Sequence, residues 1–94
     1  ITFGKGTNSN APIYYNSGNA IRMYGSNTMT ITGGTITKLV ITFGEKDGTN
    51  AITVNDEAFT GTWEGKAESL LLKIGGTKGN RRIATITVYA EVAA

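Results

Sequence analysis

The 94-residue sequence predicts an all-β fold, a two-sheet antiparallel β-sandwich with jelly-roll or Greek-key connectivity. Segments of alternating apolar and polar residues recur every 8–12 residues or so, which is the usual spacing of strands in such folds. Thirteen glycines stand against one proline, and β-branched residues occur throughout. The length suits one domain, residues 1–94, with a single modest core.

The first part of the chain predicts a short strand followed by a hairpin-like unit. Residues 1–3 alternate, and we assign Phe3 to the core together with Phe43 and Phe59. Residues 12–16 and 20–24 form the two hairpin strands, because Asn, Ser and Gly at 16–19 favour a turn. Along the second strand, Ile21 and Met23 share the core face.

The middle of the chain predicts two more strands. Residues 28–32 alternate, and the glycines at 33–34 then indicate a turn. Residues 35–44 form the longest predicted strand, with Leu39 and Ile41 on its core face. The Asp-Gly pair at 47–48 lies between apolar runs, which predicts a hairpin.

The last part of the chain predicts four strands. Residues 51–55 end in a polar turn, and residues 59–65 are interrupted by Gly61, which permits a bulge or a close backbone approach. The next strand buries residues 70, 72 and 74. In the final strand, residues 81–92, we place Thr85, Thr87, Tyr89 and Glu91 on the outward face. A helical turn over 65–72 is disfavoured by its β-rich surroundings.

The composition excludes several kinds of chemistry. The chain has neither cysteine nor histidine, which removes disulfides, thiolates and the commonest general base. Its seven acids fall mostly in predicted turns, so we predict that the protein is not an enzyme. A net charge of +2 does not indicate nucleic-acid binding, and no apolar run is long enough to span a membrane. The start at Ile1 suggests a module excised from a longer protein.

Two polar turns offer oxygen ligands for a metal ion. Oxygen ligands at 47–50 or 55–57 would suit a structural Ca²⁺, but no twelve-residue calcium loop is present. Turns stabilised by their own Asn and Asp side chains are the favoured interpretation, so we predict no cofactor. The basic loop at 75–82 is interpreted in the same way, as a solvated loop or as cations that pin neighbouring carbonyls and carboxylates.

The distribution of the aromatic residues is the remaining functional signal. Tyr24 and Tyr89 fall on outward faces by alternation, and one of the adjacent Tyr14 and Tyr15 does so as well. Outward rings on neighbouring strands would form an apolar strip on which sugar rings stack. Half-buried tyrosines and a core tryptophan are the structural alternative.

The pieces PIYY at 12–15, GNAIRMY at 18–24, WEG at 63–65 and GNRRI at 79–83 carry a family resemblance. The whole chain resembles a β-sandwich module of secreted Bacteroidetes-type proteins, and it is similar to carbohydrate-binding modules appended to bacterial endoglucanases. The resemblance implies an extracellular, non-catalytic domain that holds an attached glycoside hydrolase on plant cell-wall β-glucans.

We therefore expect a monomeric module that binds β-1,4 or mixed-linkage glucan, cello-oligosaccharide or xyloglucan, without nucleic-acid or membrane partners. A structural or adhesive spacer without a glycan ligand is the alternative. The expected binding residues are Trp63, Tyr24, Tyr14, Tyr15, Tyr89, Arg22, Asn19 and Glu64. Asn16, Asn27 and Arg82 are further groups that could border the strip.

Overall fold

A computed structural model describes residues 1–15, 20–45 and 47–91, and it has the predicted all-β class. The strands of these residues join into one hydrogen-bonded antiparallel sheet that curls into a half-barrel. The turn predicted at residues 16–19, Lys46 and the end of the last predicted strand at Val92 lie outside the described residues.

The described part of the chain contains eight strands. Their bounds are β1 Thr2–Gly4, β2 Ile13–Tyr15, β3 Ala20–Tyr24, β4 Thr28–Phe43, β5 Ile52–Val54, β6 Glu57–Phe59, β7 Thr62–Ile74 and β8 Asn80–Glu91. The predicted hairpin-like unit is confirmed as β2 paired with β3, and residues 65–72 are strand rather than helix.

Strand β4 lies at the centre of the sheet, whose order is β2-β3-β8-β4-β7-β5-β6. One edge of β4 pairs with β7 along most of its length. Its other edge pairs with β1 near its start and with β8 from Thr35 onward. Both edges of the longest strand are therefore occupied by other strands, which makes it the axis of the fold.

The core covers the inner, concave face of the curled sheet, because alternate residues of each strand point to that side. Met23 and Leu39 are fully buried there, and Ile21 packs against the same cluster. The cluster extends from Met23 on β3 to Phe59 on β6, so both ends of the sheet share one core. The core faces predicted for residues 21, 23, 39, 41, 70, 72 and 74 are confirmed.

The turn predicted at Gly33 and Gly34 is wrong, because both glycines lie inside β4. Their φ angles are 130° and 96°, in a region that L side chains rarely adopt. The β4–β7 register shifts between Thr32 and Ile36, so the glycines form an irregularity within one long strand. The strand continues because β7 pairs with it on both sides of the two glycines.

The hairpin predicted at Asp47 and Gly48 is also wrong. Strand β5 pairs with β7 and β6 rather than with β4, whose two edges are already occupied. Glycine is needed at position 48 for another reason: a Cβ there would collide with the carbonyl oxygen of Asn80. Phe3 is a further correction: it lies on the short strand β1 and remains 39% exposed, whereas Phe59 is buried.

Asn27 fastens the loop of residues 5–10 to the sheet, and its side chain is completely buried. Its Nδ2 donates to the carbonyl oxygens of Lys5 at 3.0 Å and Asn10 at 2.9 Å, and its Oδ1 accepts from the Tyr24 N–H at 2.8 Å. Its backbone carbonyl accepts from the Ile74 N–H. A buried amide with these partners replaces the solvent contacts that it loses.

We predict that Asn27→Ala lowers the free energy of unfolding by about 2–4 kcal/mol, because it leaves the Asn10 carbonyl and the Tyr24 N–H without this partner and removes one of the donors to the Lys5 carbonyl. Asn10→Ala is the matched control, since the Asn10 side chain is exposed and should cost less than about 0.5 kcal/mol. Urea unfolding of the three proteins measures the difference. Equal stability of the two variants would contradict this role of Asn27.

Candidate ligand-binding site

A group of aromatic and arginine side chains lies on the outer face of β2, β3 and β8. The pairing sets Ile13 opposite Arg22, Arg22 opposite Arg82, and Tyr24 opposite Asn80. Cross-strand partners share a face, so these side chains project away from the core. Tyr15 lies two residues after Ile13 and therefore joins them.

The two tyrosines of this group are in contact through their hydroxyl groups, which lie 3.2 Å apart. The guanidinium carbon of Arg22 lies 5.1 Å from the centre of the Tyr15 ring and 5.6 Å from that of Tyr24. That of Arg82 lies 5.6 Å from the Tyr15 ring centre. These distances are within the range of cation–π attraction, so the four side chains form one packed unit.

A cleft of about 410 Å³ adjoins this unit. It is lined by Ser9, Asn10, Ala11, Pro12, Ile13, Tyr15 and Tyr24. Ser9 and Asn10 belong to the loop that Asn27 holds, and Ala11 and Pro12 continue from it to β2. The Asn8 side chain also donates to the Gly25 carbonyl at 2.8 Å. The loop wall is therefore fixed by partly buried hydrogen bonds. Sequence reasoning did not select Ser9, Asn10 or Pro12, because nothing local indicates that this loop folds back against Tyr24.

A second, separate strip crosses the outer face of β8, β4 and β7. Tyr89 is 49% exposed and lies opposite Lys38, whose Nζ is 5.6 Å from the ring centre. Lys38 lies opposite Glu64 and forms an ion pair with it at 3.5 Å. Tyr89 is thus outward as predicted. It lies seven residues along β8 from Arg82, or roughly 23 Å, so it does not share the cleft.

Trp63 and Tyr14 lie on the opposite side of the sheet from the cleft. Trp63 pairs with the fully buried Leu39 and packs against the core, where it is half-buried. Tyr14 pairs with Ile21, so it is directed away from Tyr15, and it is 55% exposed. The structure therefore brings together Tyr15, Tyr24 and Arg22 of the predicted set and separates Trp63, Tyr14, Tyr89 and Glu64 from them. Asn19 lies outside the described residues.

Asn27 and Arg82 are two of the further groups predicted as possible borders of the aromatic strip, and the structure gives them different roles. Asn27 is buried and holds backbone groups, so its prediction as an exposed edge is wrong. Arg82 does lie beside the predicted tyrosines, on the strand next to Arg22. Asn16 lies outside the described residues.

The basic loop is anchored by Arg81, which points to the other side of β8. Arg81 Nη2 lies 3.0 Å from Asp47 Oδ2, and Arg81 Nη1 donates to the Asn50 carbonyl at 2.7 Å. Its guanidinium carbon lies 4.3 Å from the centre of the Phe43 ring. Asp47 also accepts from the backbone N–H of Arg82. The interpretation that cations here pin carbonyls and carboxylates is confirmed for Arg81.

The surroundings of the Tyr15 hydroxyl favour its ionised form, which lowers its pKa. The hydrogen bond with Tyr24 lowers the pKa of the Tyr15 hydroxyl below 10.0, and Arg22 and Arg82 contribute in the same direction. The Arg22 pKa is raised, first by its hydrogen bond with Tyr24. Positive charge is therefore concentrated around Tyr15.

No group of three or more acidic side chains suited to a metal ion occurs in the described part of the chain. The carboxylate of Asp47, which lies in one of the two turns with oxygen ligands suited to calcium, is engaged by Arg81 and the Arg82 N–H. Within the same residues, no helix has the length and hydropathy to cross a membrane. Comparison of the chain with protein-family models, curated proteins and solved structures finds no match.

We predict that Asp47→Asn lowers the free energy of unfolding by about 2 kcal/mol, because it leaves the Arg81 charge unpaired in a pocket where its side chain is only 17% exposed. Glu64→Gln is the matched control: its ion pair is exposed and should contribute less than about 0.5 kcal/mol. Thermal unfolding at neutral pH compares the two. A larger loss in Glu64→Gln would contradict this assignment.

We predict that one tyrosine ionises below pH 10 in the folded protein and that Tyr24→Phe raises that pKa, because the variant removes the hydrogen bond that favours the Tyr15 phenolate. Since the folded-state pKa is the lower one, this ionisation stabilises the fold as pH rises through that pKa towards 10, and the contribution is lost as pH falls below it. The ultraviolet absorbance of the phenolate follows the titration. Identical titrations of wild type and Tyr24→Phe would refute the coupling.

Proposed function

We propose that this chain is a non-catalytic carbohydrate-binding module for cell-wall β-glucans of the β-1,4, mixed-linkage or xyloglucan type. The single observation that carries the proposal is the cleft of about 410 Å³ between the fixed loop and the Tyr15–Tyr24 pair. The cleft joins ring and aliphatic surface to amide and hydroxyl groups, and the guanidinium groups of Arg22 and Arg82 lie beside it against the Tyr15 ring.

These surroundings suit a sugar ring. The axial C–H groups of a glucose unit pack on apolar surface such as Pro12, Ile13 and the tyrosine rings. Its equatorial hydroxyls have Ser9 and Asn10 as hydrogen-bonding partners at the wall of the cleft. The site is open and wet, so binding should be weak, on the order of micromolar to millimolar.

A binding role without catalysis is supported by the chemistry of the lining. None of the seven lining residues is acidic, whereas glycoside hydrolysis uses a pair of carboxylates on either side of the bond. The proposal therefore assigns catalysis to a covalently attached hydrolase in the parent protein. We also propose that the parent protein is extracellular and that the module is monomeric.

The proposal extends to the architecture, as a two-sheet sandwich with jelly-roll or Greek-key connectivity. In that arrangement β3 and β8 belong to one layer, and β5 and β6 belong to the other. The support is the shared core, in which Met23 of β3 and Phe59 of β6 are members of one buried cluster. Two packed layers would give the outer face with the cleft a rigid base.

Affinity electrophoresis tests the proposal in gels that contain barley β-glucan, xyloglucan, xylan or no polymer. Wild type should be retarded by at least one glucan, and Tyr24→Ala should lose the retardation because it removes one wall of the cleft. Tyr89→Ala is the matched control, since it deletes an equally outward ring of the second strip. Circular dichroism verifies that each variant is folded.

The variant Trp63→Ala tests which face of the sheet binds the glucan. The expected result is that it retains retardation, because Trp63 lies on the inner side. Loss of retardation in folded Trp63→Ala, with Tyr24→Ala unaffected, would overturn the choice of the cleft. Wild type that migrates unretarded in every gel would favour the structural or adhesive spacer.

A further inference from the structure

Arg22 and Arg82 lie directly opposite each other on β3 and β8, and both guanidinium groups lie within 5.6 Å of the centre of the same Tyr15 ring. Like charges that face each other across a sheet repel. The Tyr15 ring attracts both cations and offsets part of that repulsion. A folded chain that keeps two cations together in this way has a local excess of positive charge.

No acidic side chain balances this pair. All seven Asp and Glu residues belong to the described part of the chain, and the ion pairs found there use Lys38, Lys66 and Arg81. Asp47 accepts a hydrogen bond from the Arg82 backbone N–H, but its carboxylate is paired with Arg81. Arg22 and Arg82 therefore form no ion pair with any described residue.

The hydrogen-bonding capacity of the pair is only partly used. The Nε atoms of Arg22 and Arg82 are buried without a hydrogen-bond partner among the described residues. The guanidinium group is a planar fork of donors, so its other nitrogens match the two oxygens of a carboxylate. The positive charge around Tyr15 also lowers the pKa of its hydroxyl, behind the larger effect of the hydrogen bond with Tyr24.

We propose that Arg22 and Arg82 bind the carboxylate of a uronic-acid unit, which makes acidic cell-wall glycans ligands of this module. The inference rests on the proposed function, because it assumes that the adjoining cleft holds a sugar ring. Tyr15 links the two subsites: its ring lines the cleft and lies against both guanidinium groups. A uronate unit can therefore contact the ring surface and the cations together, whereas a flexible acidic side chain of a peptide gains only the charge contact.

The test is affinity electrophoresis with polygalacturonate, barley β-glucan and polyglutamate in separate gels, at low and high salt. Wild type should be retarded by polygalacturonate, and high salt should weaken this interaction more than the interaction with neutral β-glucan. Arg82→Gln and Arg22→Gln should each weaken polygalacturonate binding by about tenfold, the usual loss for a charge-assisted hydrogen bond. Lys73→Gln is the matched control, since it removes one charge from the exposed surface of β7.

Each outcome has a defined meaning. Polygalacturonate binding that is lost in a folded Arg82→Gln or Arg22→Gln variant and kept in Lys73→Gln supports the carboxylate subsite, with or without binding to neutral glucan. Binding to neutral glucan without binding to polygalacturonate overturns the subsite and leaves the proposed function standing. If polyglutamate retards the protein as strongly as polygalacturonate, or if all three variants lose polygalacturonate binding equally, the subsite is overturned. Such binding would reflect a general attraction to polyanions. No binding in any gel overturns both proposals.

Discussion

The buried amide of Asn27 is the constraint on which the candidate site depends. It joins three segments that are distant in sequence: the loop at Lys5 and Asn10, the end of β3 at Tyr24, and, through its backbone, the end of β7 at Ile74. The loop of residues 5–10 has no apolar side chain, so polar bonds such as these hold it against the sheet. The cleft exists because the wall formed by this loop and the Tyr15–Tyr24 wall are both fixed relative to Asn27.

The curl of the sheet divides the molecule into an inner face used for stability and an outer face available for binding. The inner face carries the shared core, and Trp63 contributes to it at one end. On the outer face, polar and aromatic side chains pair across strands, as in Tyr89–Lys38–Glu64 and in the tyrosine–arginine group of β2, β3 and β8. Of these two sets, the tyrosine–arginine group adjoins the cleft and has unbalanced charge. We therefore propose that recognition takes place at this group.

The sequence predicts the all-β class, the strands and most of the core, because alternation is a local signal that each strand carries by itself. The turn predicted at Gly33–Gly34 and the hairpin predicted at Asp47–Gly48 are wrong for the same physical reason. At Gly33–Gly34 the pairing with β7 resumes beyond the glycines, and at Asp47–Gly48 both edges of β4 are already occupied, so long-range pairing overrides local preference. Trp63 could not be assigned to a face from the sequence, since it lies between glycines and just before a register shift in the β4–β7 pairing. For the predicted site, the alternation of residues along β3 correctly places Tyr24 and Arg22 on the outer face. The wall that residues 9–12 add to the cleft depends on the bonds of Asn27, and no local sequence pattern indicates it.

Backbone amide chemical shifts of the labelled protein, followed during titration with a cello-oligosaccharide, test the central claim most directly. We expect progressive shifts of residues 9–15 and 22–24, with the Trp63 indole N–H and the strip around Tyr89 unchanged. Shifts that centre on Trp63 or Tyr89 would contradict the location of the site. The absence of any shift at millimolar oligosaccharide would contradict glycan binding by this cleft.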